Sequence, residues 1–476
     1  MVARPSDNNK TTNRSPMAVS PTFCAFPFAH LVIHNNGTYG PCCGASEFFY
    51  INENNKVGSA NMFEPMFLDG DIKPYWLGIE EAFNSEPMEH IRQELLKGNK
   101  PSACESCWKQ EKYKEIRSKR QANNELYFAL FPAFENIFDY NATELSTNPY
   151  VRSLDLKFSN KCNLHCLMCH AGNSDMWLPL DKKINQYLIK HNLKRGVISP
   201  DIHDMALDIE LYHSTDHIIV DVDDFHKNIS DFPQERYEEI KSLIPQLQEI
   251  QCTGGEPFIS KQFIELLEYA IDTGHAEHIA LEITTNGTKF VADVMELLVH
   301  FKHIRFIVSI DGTGGTYDYI RAPFKYDTLL ERLYTLNDYI NTGRVNAMIS
   351  IPVVAMSYNL FDYCNFNEIA KIFSIDFKSI IHVHMTLFNS DNPLHVYWLP
   401  NELLDLALNF YSKYPVIWQQ LKNHIDDNPI DPATKLYNQR RMKNYTVLMD
   451  KMLNRNYHDF LDPRIVEFLD SVESDL

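Results

Sequence analysis

Short apolar runs alternate with amphipathic stretches through the centre of the chain. VRSLDLKFS (151–159), LQEIQCT (247–253), HIALEITT (278–285), HIRFIVSI (303–310), VNAMISIPVV (345–354) and SIIHVHMTLF (379–388) each read as a β-strand. Between them, segments such as SKQFIELLEYAIDTG and TLLERLYTLNDYINTG place apolar residues on one helical face and close on glycine. Strand–helix alternation over about 240 residues implies parallel strands and right-handed crossovers. The pattern predicts an α/β fold with a TIM-like or partial barrel, whose chemistry belongs at the C-terminal strand ends.

The flanks read differently. Residues 1–20 form a polar tail, and 21–120 hold short elements punctuated by Cys, Gly and Pro, too loop-rich to stand on apolar burial alone. One helix is legible there, with Met88, Ile91, Leu95 and Leu96 in helical register and Gly98 ending it. Residues 121–150 read as a linker with partial helix, 151–390 as the barrel, and 391–476 as a helical extension that covers the barrel mouth or completes the core. Inside the barrel, 170–246 is longer than one crossover needs. Its stretch 201–224 carries eight acidic residues and no Lys or Arg, which fits a lid over a cationic substrate or a solvated hairpin.

Composition narrows the function classes. The 476 residues carry 44 Lys plus Arg against 63 Asp plus Glu, a net charge of −19, so a nucleic-acid partner is not expected. No apolar run has the length of a signal peptide or a membrane span, and a cytoplasmic location without membrane attachment is the expectation. Ten cysteines in a reducing compartment point to metal or redox chemistry rather than disulfides, and eight of them fall within the first 169 residues.

Three of those eight, Cys162, Cys166 and Cys169, follow directly on the first barrel strand as CxxxCxxC. Thiolates favour iron–sulfur clusters or zinc. Three of them wrap three corners of a cubane and leave one iron open to a small molecule; the zinc alternative closes the site with His165 or His170. The next strand ends in CTGGEPF (252–258), the third in TTNG (284–287), and the fourth in VSIDG (308–312) followed by YDYIR (317–321). Glycines there admit a ligand close to the backbone, and Glu256 offers a carboxylate to a cationic group.

In order and spacing, the cysteine loop, GGEP and SIDG resemble the radical S-adenosylmethionine (radical SAM) superfamily over about 150–390. The resemblance implies a partial (β/α)6 TIM-like barrel with a [4Fe–4S] cluster on Cys162, Cys166 and Cys169, the SAM amine and carboxylate chelating the open iron. It also implies that Gly254, Gly255 and Glu256 hold the methionyl amine, and that Ser309 and Arg321 contact the carboxylate or ribose. Thr285 and Asn286 are further SAM contacts, and Met168, standing where many members carry an aromatic residue, faces adenine through its backbone. The implied reaction is reductive SAM cleavage to a 5′-deoxyadenosyl radical that takes a hydrogen atom from the substrate.

A second set stands upstream: Cys24 and Cys42 in FCAFPFAHLVIHNNGTYGPCC, then Cys104 and Cys107 in SACESCW. One reading is a structural zinc closed by four thiolates, although only one half is a CxxC knuckle. The arrangement resembles the twitch form of the SPASM auxiliary module, which implies a second [4Fe–4S] cluster on Cys24, Cys42, Cys104 and Cys107, with Cys43 the alternative to Cys42. In most relatives this module follows the barrel; here it precedes it. Four protein ligands leave no open iron, so electron transfer or a structural role is implied.

Cys252 and Cys364 read as core residues. Asp311 shapes the SAM pocket or caps the next turn, while Tyr317, Tyr319, His382 and His384 stand near the rim. No catalytic side chain is singled out. The expected protein is a radical SAM oxidoreductase or modifying enzyme acting on a peptide or small carbohydrate-like substrate, with a reductant such as flavodoxin or ferredoxin. The alternative is a metal-stabilised binding or scaffold protein.

Overall fold

The computed structural model describes residues 20–51, 57–61, 77–111, 118–130, 150–193, 231–375, 381–384, 392–426 and 430–476. The tail, most of the linker and the acidic stretch at 201–224 lie outside the described residues.

All six expected strands form, as β5 (Ser153–Lys157), β6 (Glu249–Thr253), β7 (Ala280–Thr285), β8 (His303–Val308), β9 (Ala347–Val354) and β10 (Ile381–His384). Each pairs in parallel with the next, and the amphipathic helices Lys261–Asp272 and Tyr326–Asn341 connect them where the pattern places them. The sheet is not confined to these six. Strand β1 (His30–His34), from the Cys-rich region, pairs in parallel with β5 along its whole length, His30 opposite Ser153 and His34 opposite Lys157. Strands β2 (Tyr39–Gly40), β3 (Glu47–Ile51) and β4 (Val57–Asn61) continue antiparallel, giving the order β10-β9-β8-β7-β6-β5-β1-β2-β3-β4.

Strand alternation sorts the side chains. Leu154, Leu156, Ile250, Leu281, Ile283, Ile304 and Phe306 are buried in one core with Phe263, Leu266, Leu267, Leu329, Leu333 and Leu336 of the surrounding helices. Successive Cβ atoms point to opposite faces, so Ser153, Asp155 and Lys157, Glu249 and Gln251, Glu282, and Arg305 share the inner face. The barrel is therefore apolar outside and polar within.

The helix Glu86–Leu96 buries Met88, Ile91 and Leu95, and Gly98 follows it at φ +83°. Helix Lys119–Leu130 occupies the start of the expected linker. The C-terminal helix Pro432–Leu453 reaches back onto the barrel: Tyr445 is buried and its hydroxyl donates to the Leu167 carbonyl at 2.8 Å, inside the cysteine loop. Cys252 lies in the core as expected, whereas Cys364 is only partly buried, in the turn 360–366 beside the exposed Asn365.

Candidate active site

The loop after β5 is braced from every side. Cys169 N donates to the Cys166 carbonyl at 2.9 Å, closing the CxxC turn, and Trp177 Nε1 donates to the same carbonyl at 3.1 Å. Cys162 N is held by Asp175 Oδ1 at 2.9 Å. The three thiols are one another's electrostatic neighbours, and burial pushes Cys166 up to about 12. His170 has both ring nitrogens engaged within its own loop, by Gly172 N at 3.2 Å and Asn173 Nδ2 at 3.0 Å. His165 has Arg455 as its charged neighbour rather than the cysteines.

The GGE turn packs directly under this loop. A Cβ on Gly254 would fall 2.3 Å from Lys157 Cγ, and one on Gly255 would fall 2.3 Å from the Lys161 carbonyl oxygen; both residues have positive φ. Only glycine satisfies both conditions. Glu256 N donates to the Lys161 carbonyl at 2.8 Å. Its buried carboxylate accepts from Thr285 Oγ1 at 2.7 Å and from Asn286 N at 2.8 Å. Desolvation pushes that carboxyl up to about 7. Asn286 in turn donates to Asn163 Oδ1 at 2.9 Å and approaches Cys162 Sγ at 3.8 Å. The expected contact residues Gly254, Gly255, Glu256, Thr285 and Asn286 thus meet the cysteine loop in one bonded unit.

The fourth strand end joins it. Ser309, half-buried, has its N–H on the Thr285 carbonyl at 2.8 Å. Arg321 is buried, with Nε on Asp311 Oδ2 at 2.8 Å, a second contact from Nη2 to the same oxygen, and Nη1 3.7 Å from Cys166 Sγ. Asp311 Oδ1 accepts from Val354 N at 2.7 Å. Asp311 thus anchors Arg321, a contact that neither of its two expected roles named. Met168 is partly buried in the loop itself. Tyr317 and Tyr319 are buried, the latter hydrogen-bonded to Asp450 at 2.9 Å, and His382 and His384 lie on β10.

The upstream cysteines also assemble. Cys104 has Cys42, Cys24 and Cys107 as electrostatic neighbours, and burial pushes Cys24 and Cys42 up to about 12. Cys43 turns elsewhere, onto Lys119 Nζ and towards Asp155. Helix Lys119–Leu130 frames the set in a way composition does not reveal. Asn124 clamps the chain around Cys24, accepting from Ala25 N at 3.0 Å and donating to the Phe23 carbonyl at 2.9 Å. Arg120 also donates to the Phe23 carbonyl, at 2.7 Å, and pairs with Glu111. On the barrel side, Lys119 has Cys42, Cys43 and Glu282 as charged neighbours, and Asp155 has Lys119 and Glu282. Asp155, Gln251, Glu282 and Arg305 stand in register across four strands, one layer below Lys157, which itself neighbours Cys169. A line of alternating charge, Lys157, Asp155 and Lys119, therefore runs between the two cysteine sets. Its sequence signal is SLDLK, a strand whose polar side is charged.

The donor sets suit iron–sulfur chemistry: soft thiolates, three at one site beside a glycine cradle and four at the other. Among the described residues no group of three His, Cys, Asp or Glu side chains is placed to hold a single metal ion.

Residues 156–357 match the family model of the radical SAM superfamily. Mycofactocin maturase MftC of Mycolicibacterium smegmatis is 27% identical over 131 residues, 26% of this chain and 32% of that protein, so the match spans about a third of the relative. The uncharacterized protein MJ0907 of Methanocaldococcus jannaschii is 24% identical over 287 residues, 58% of this chain and 77% of that one. The crystal structure of Streptococcus suis SuiB bound to S-adenosylmethionine aligns with a TM-score of 0.34 at 13% identity, covering 84% of this chain and 78% of SuiB. No helix among the described residues is long and apolar enough to cross a membrane.

Proposed function

Through residues 156–357 the chain belongs to the radical SAM superfamily, and on that premise we propose an enzyme that cleaves SAM reductively and takes a hydrogen atom from its substrate. The observation that carries the reading is the convergence of the cysteine loop, the GGE turn and the TTNG strand end through Glu256 and the Lys161 carbonyl. When bound on Cys162, Cys166 and Cys169, a [4Fe–4S] cluster with SAM supplies the electron and the 5′-deoxyadenosyl radical.

The chain's own residues bind and orient. Gly254 and Gly255 let the methionyl amine approach the backbone, and Glu256, fixed by Thr285 and Asn286, presents charge to it. Ser309 and Arg321 take the carboxylate or ribose end, and the Met168 backbone faces adenine. The polar inner face, with Asp155, Gln251, Glu282 and Arg305, receives the substrate. A peptide or a small carbohydrate-like molecule, oxidised or otherwise modified, suits that lining. Cys24, Cys42, Cys104 and Cys107 hold an auxiliary cluster; Cys42 is preferred over Cys43 because its thiol, not that of Cys43, neighbours Cys24 and Cys107. Lys119 links that set to the barrel interior. Electrons come from a flavodoxin- or ferredoxin-type reductant.

Anaerobic reconstitution tests the reading. The expected result is about eight iron and eight sulfide per chain, with dithionite-dependent release of 5′-deoxyadenosine that Cys166→Ala abolishes. A colourless zinc protein that leaves SAM intact overturns it. Substrate is then sought by following deuterium from candidate molecules into 5′-deoxyadenosine.

A further inference from the structure

The guanidinium of Arg321 is placed with more care than a SAM contact requires. His165 N donates to the Ala322 carbonyl at 3.0 Å and Leu167 N to the Ile320 carbonyl at 2.9 Å. The residues flanking Cys166 are thus bonded to the residues flanking Arg321, and the two side chains are held face to face. Asp311 takes Nε and Nη2, which leaves Nη1 aimed at Cys166 Sγ, 3.7 Å away. Asp311 is itself immobile: Val354 N occupies its second oxygen and Asn359 Nδ2 donates to its carbonyl at 2.7 Å. Asp311 is fully buried and Arg321 is 8% exposed, so water does little to screen this charge. The other thiols of the loop are treated differently. Cys162 receives a neutral amide, from Asn286 at 3.8 Å, and Cys169 has Arg321 and Lys157 as charged neighbours, whereas Cys166 is the thiol the guanidinium hydrogen-bonds.

We propose that Arg321, positioned by Asp311, donates to the Cys166 sulfur and raises the reduction potential of the cluster bound on Cys162, Cys166 and Cys169. Reduction adds one negative charge to the cluster, and a buried cation hydrogen-bonded to a ligand sulfur stabilises the more negative state. The proposal rests on the cluster reading above and adds to it an action of Arg321 on the electron, beside its contact with SAM.

The test is a potentiometric titration, without SAM, of the reconstituted full-length protein. It follows the electron paramagnetic resonance signal that responds to later SAM addition. Arg321→Met should keep the iron and sulfide content while the reduced-to-oxidised ratio at a fixed potential drops about tenfold, ~59 mV for a one-electron couple. Arg321→Lys should recover part of the shift. Asp311→Asn should move the midpoint when Arg321 is present and by a different amount in the Arg321→Met background, since its role runs through the guanidinium. Should the lone buried carboxylate left by Arg321→Met prevent folding, the neutral pair Arg321→Gln with Asp311→Asn replaces it and should also lower the midpoint. An intact cluster with an unchanged midpoint overturns the proposal and leaves the cluster reading standing. Absence of iron on these three cysteines overturns both.

Discussion

Gly255 carries the severest steric condition at the site, because the atom in its way is the Lys161 carbonyl and not a side chain that could swing aside. Gly255→Ala should therefore cost roughly 1–3 kcal/mol in backbone strain and weaken SAM binding at least tenfold, read by thermal melting and calorimetric titration. Glu256 makes a separate prediction. Its folded pKa, about 7, lies above the ordinary 4.5 because burial disfavours the charged form. The folded state thus holds this proton more tightly than the unfolded one, so its stabilising contribution is complete below about 4.5. That contribution is lost as pH rises through about 7. Chemical denaturation of the ligand-free protein across this range should show the decline, and Glu256→Gln should flatten it. At this scale the grouping was largely legible: cysteine spacing and GGE name residues that the structure brings together. What spacing could not disclose was which atoms Arg321 and Asp311 would touch, because that depends on two backbone bonds between segments some 150 residues apart.

Among the elements, helix Lys119–Leu130 connects most of the site's parts. It supplies Lys119 to the barrel interior, Arg120 to Glu111 and Asn124 to the backbone on both sides of Cys24. Removing the amide leaves the Ala25 N–H unpaired, while the Phe23 carbonyl keeps its bond from Arg120, so Asn124→Ala should cost about 1–3 kcal/mol. It should also lower the iron bound at the upstream cysteines while dithionite-dependent SAM cleavage persists, which iron analysis and product assay separate. The sequence marks this stretch only as a linker with partial helix, since its value lies in polar side chains and not in an apolar stripe. The six barrel strands were legible because alternation and glycine stops are local signals. Strand β1 was not, because HLVIH is a short apolar run whose parallel partner begins 123 residues later.

For the molecule as a whole, the shared strand makes the Cys-rich region and the barrel one sheet. A chain beginning at residue 150 would lack β1 and expose the full edge of β5, together with the buried side chains that pack on Leu31 and Ile33. Such a truncation should aggregate or melt far below the full protein, as circular dichroism of the two would show.

The position of β1 also has a consequence in time. On the ribosome this strand is finished about 120 residues ahead of β5, so at 5–20 residues per second its open edge waits on the order of ten seconds for a partner. Cys24 is already made, and Cys42, Cys104 and Cys107 are synthesised within that interval, before any of the three in the barrel loop. Assembly accordingly has a built-in order: the N-terminal hairpin is the template on which the parallel sheet is later laid, strand by strand, and the reactive site is the last part to be enclosed.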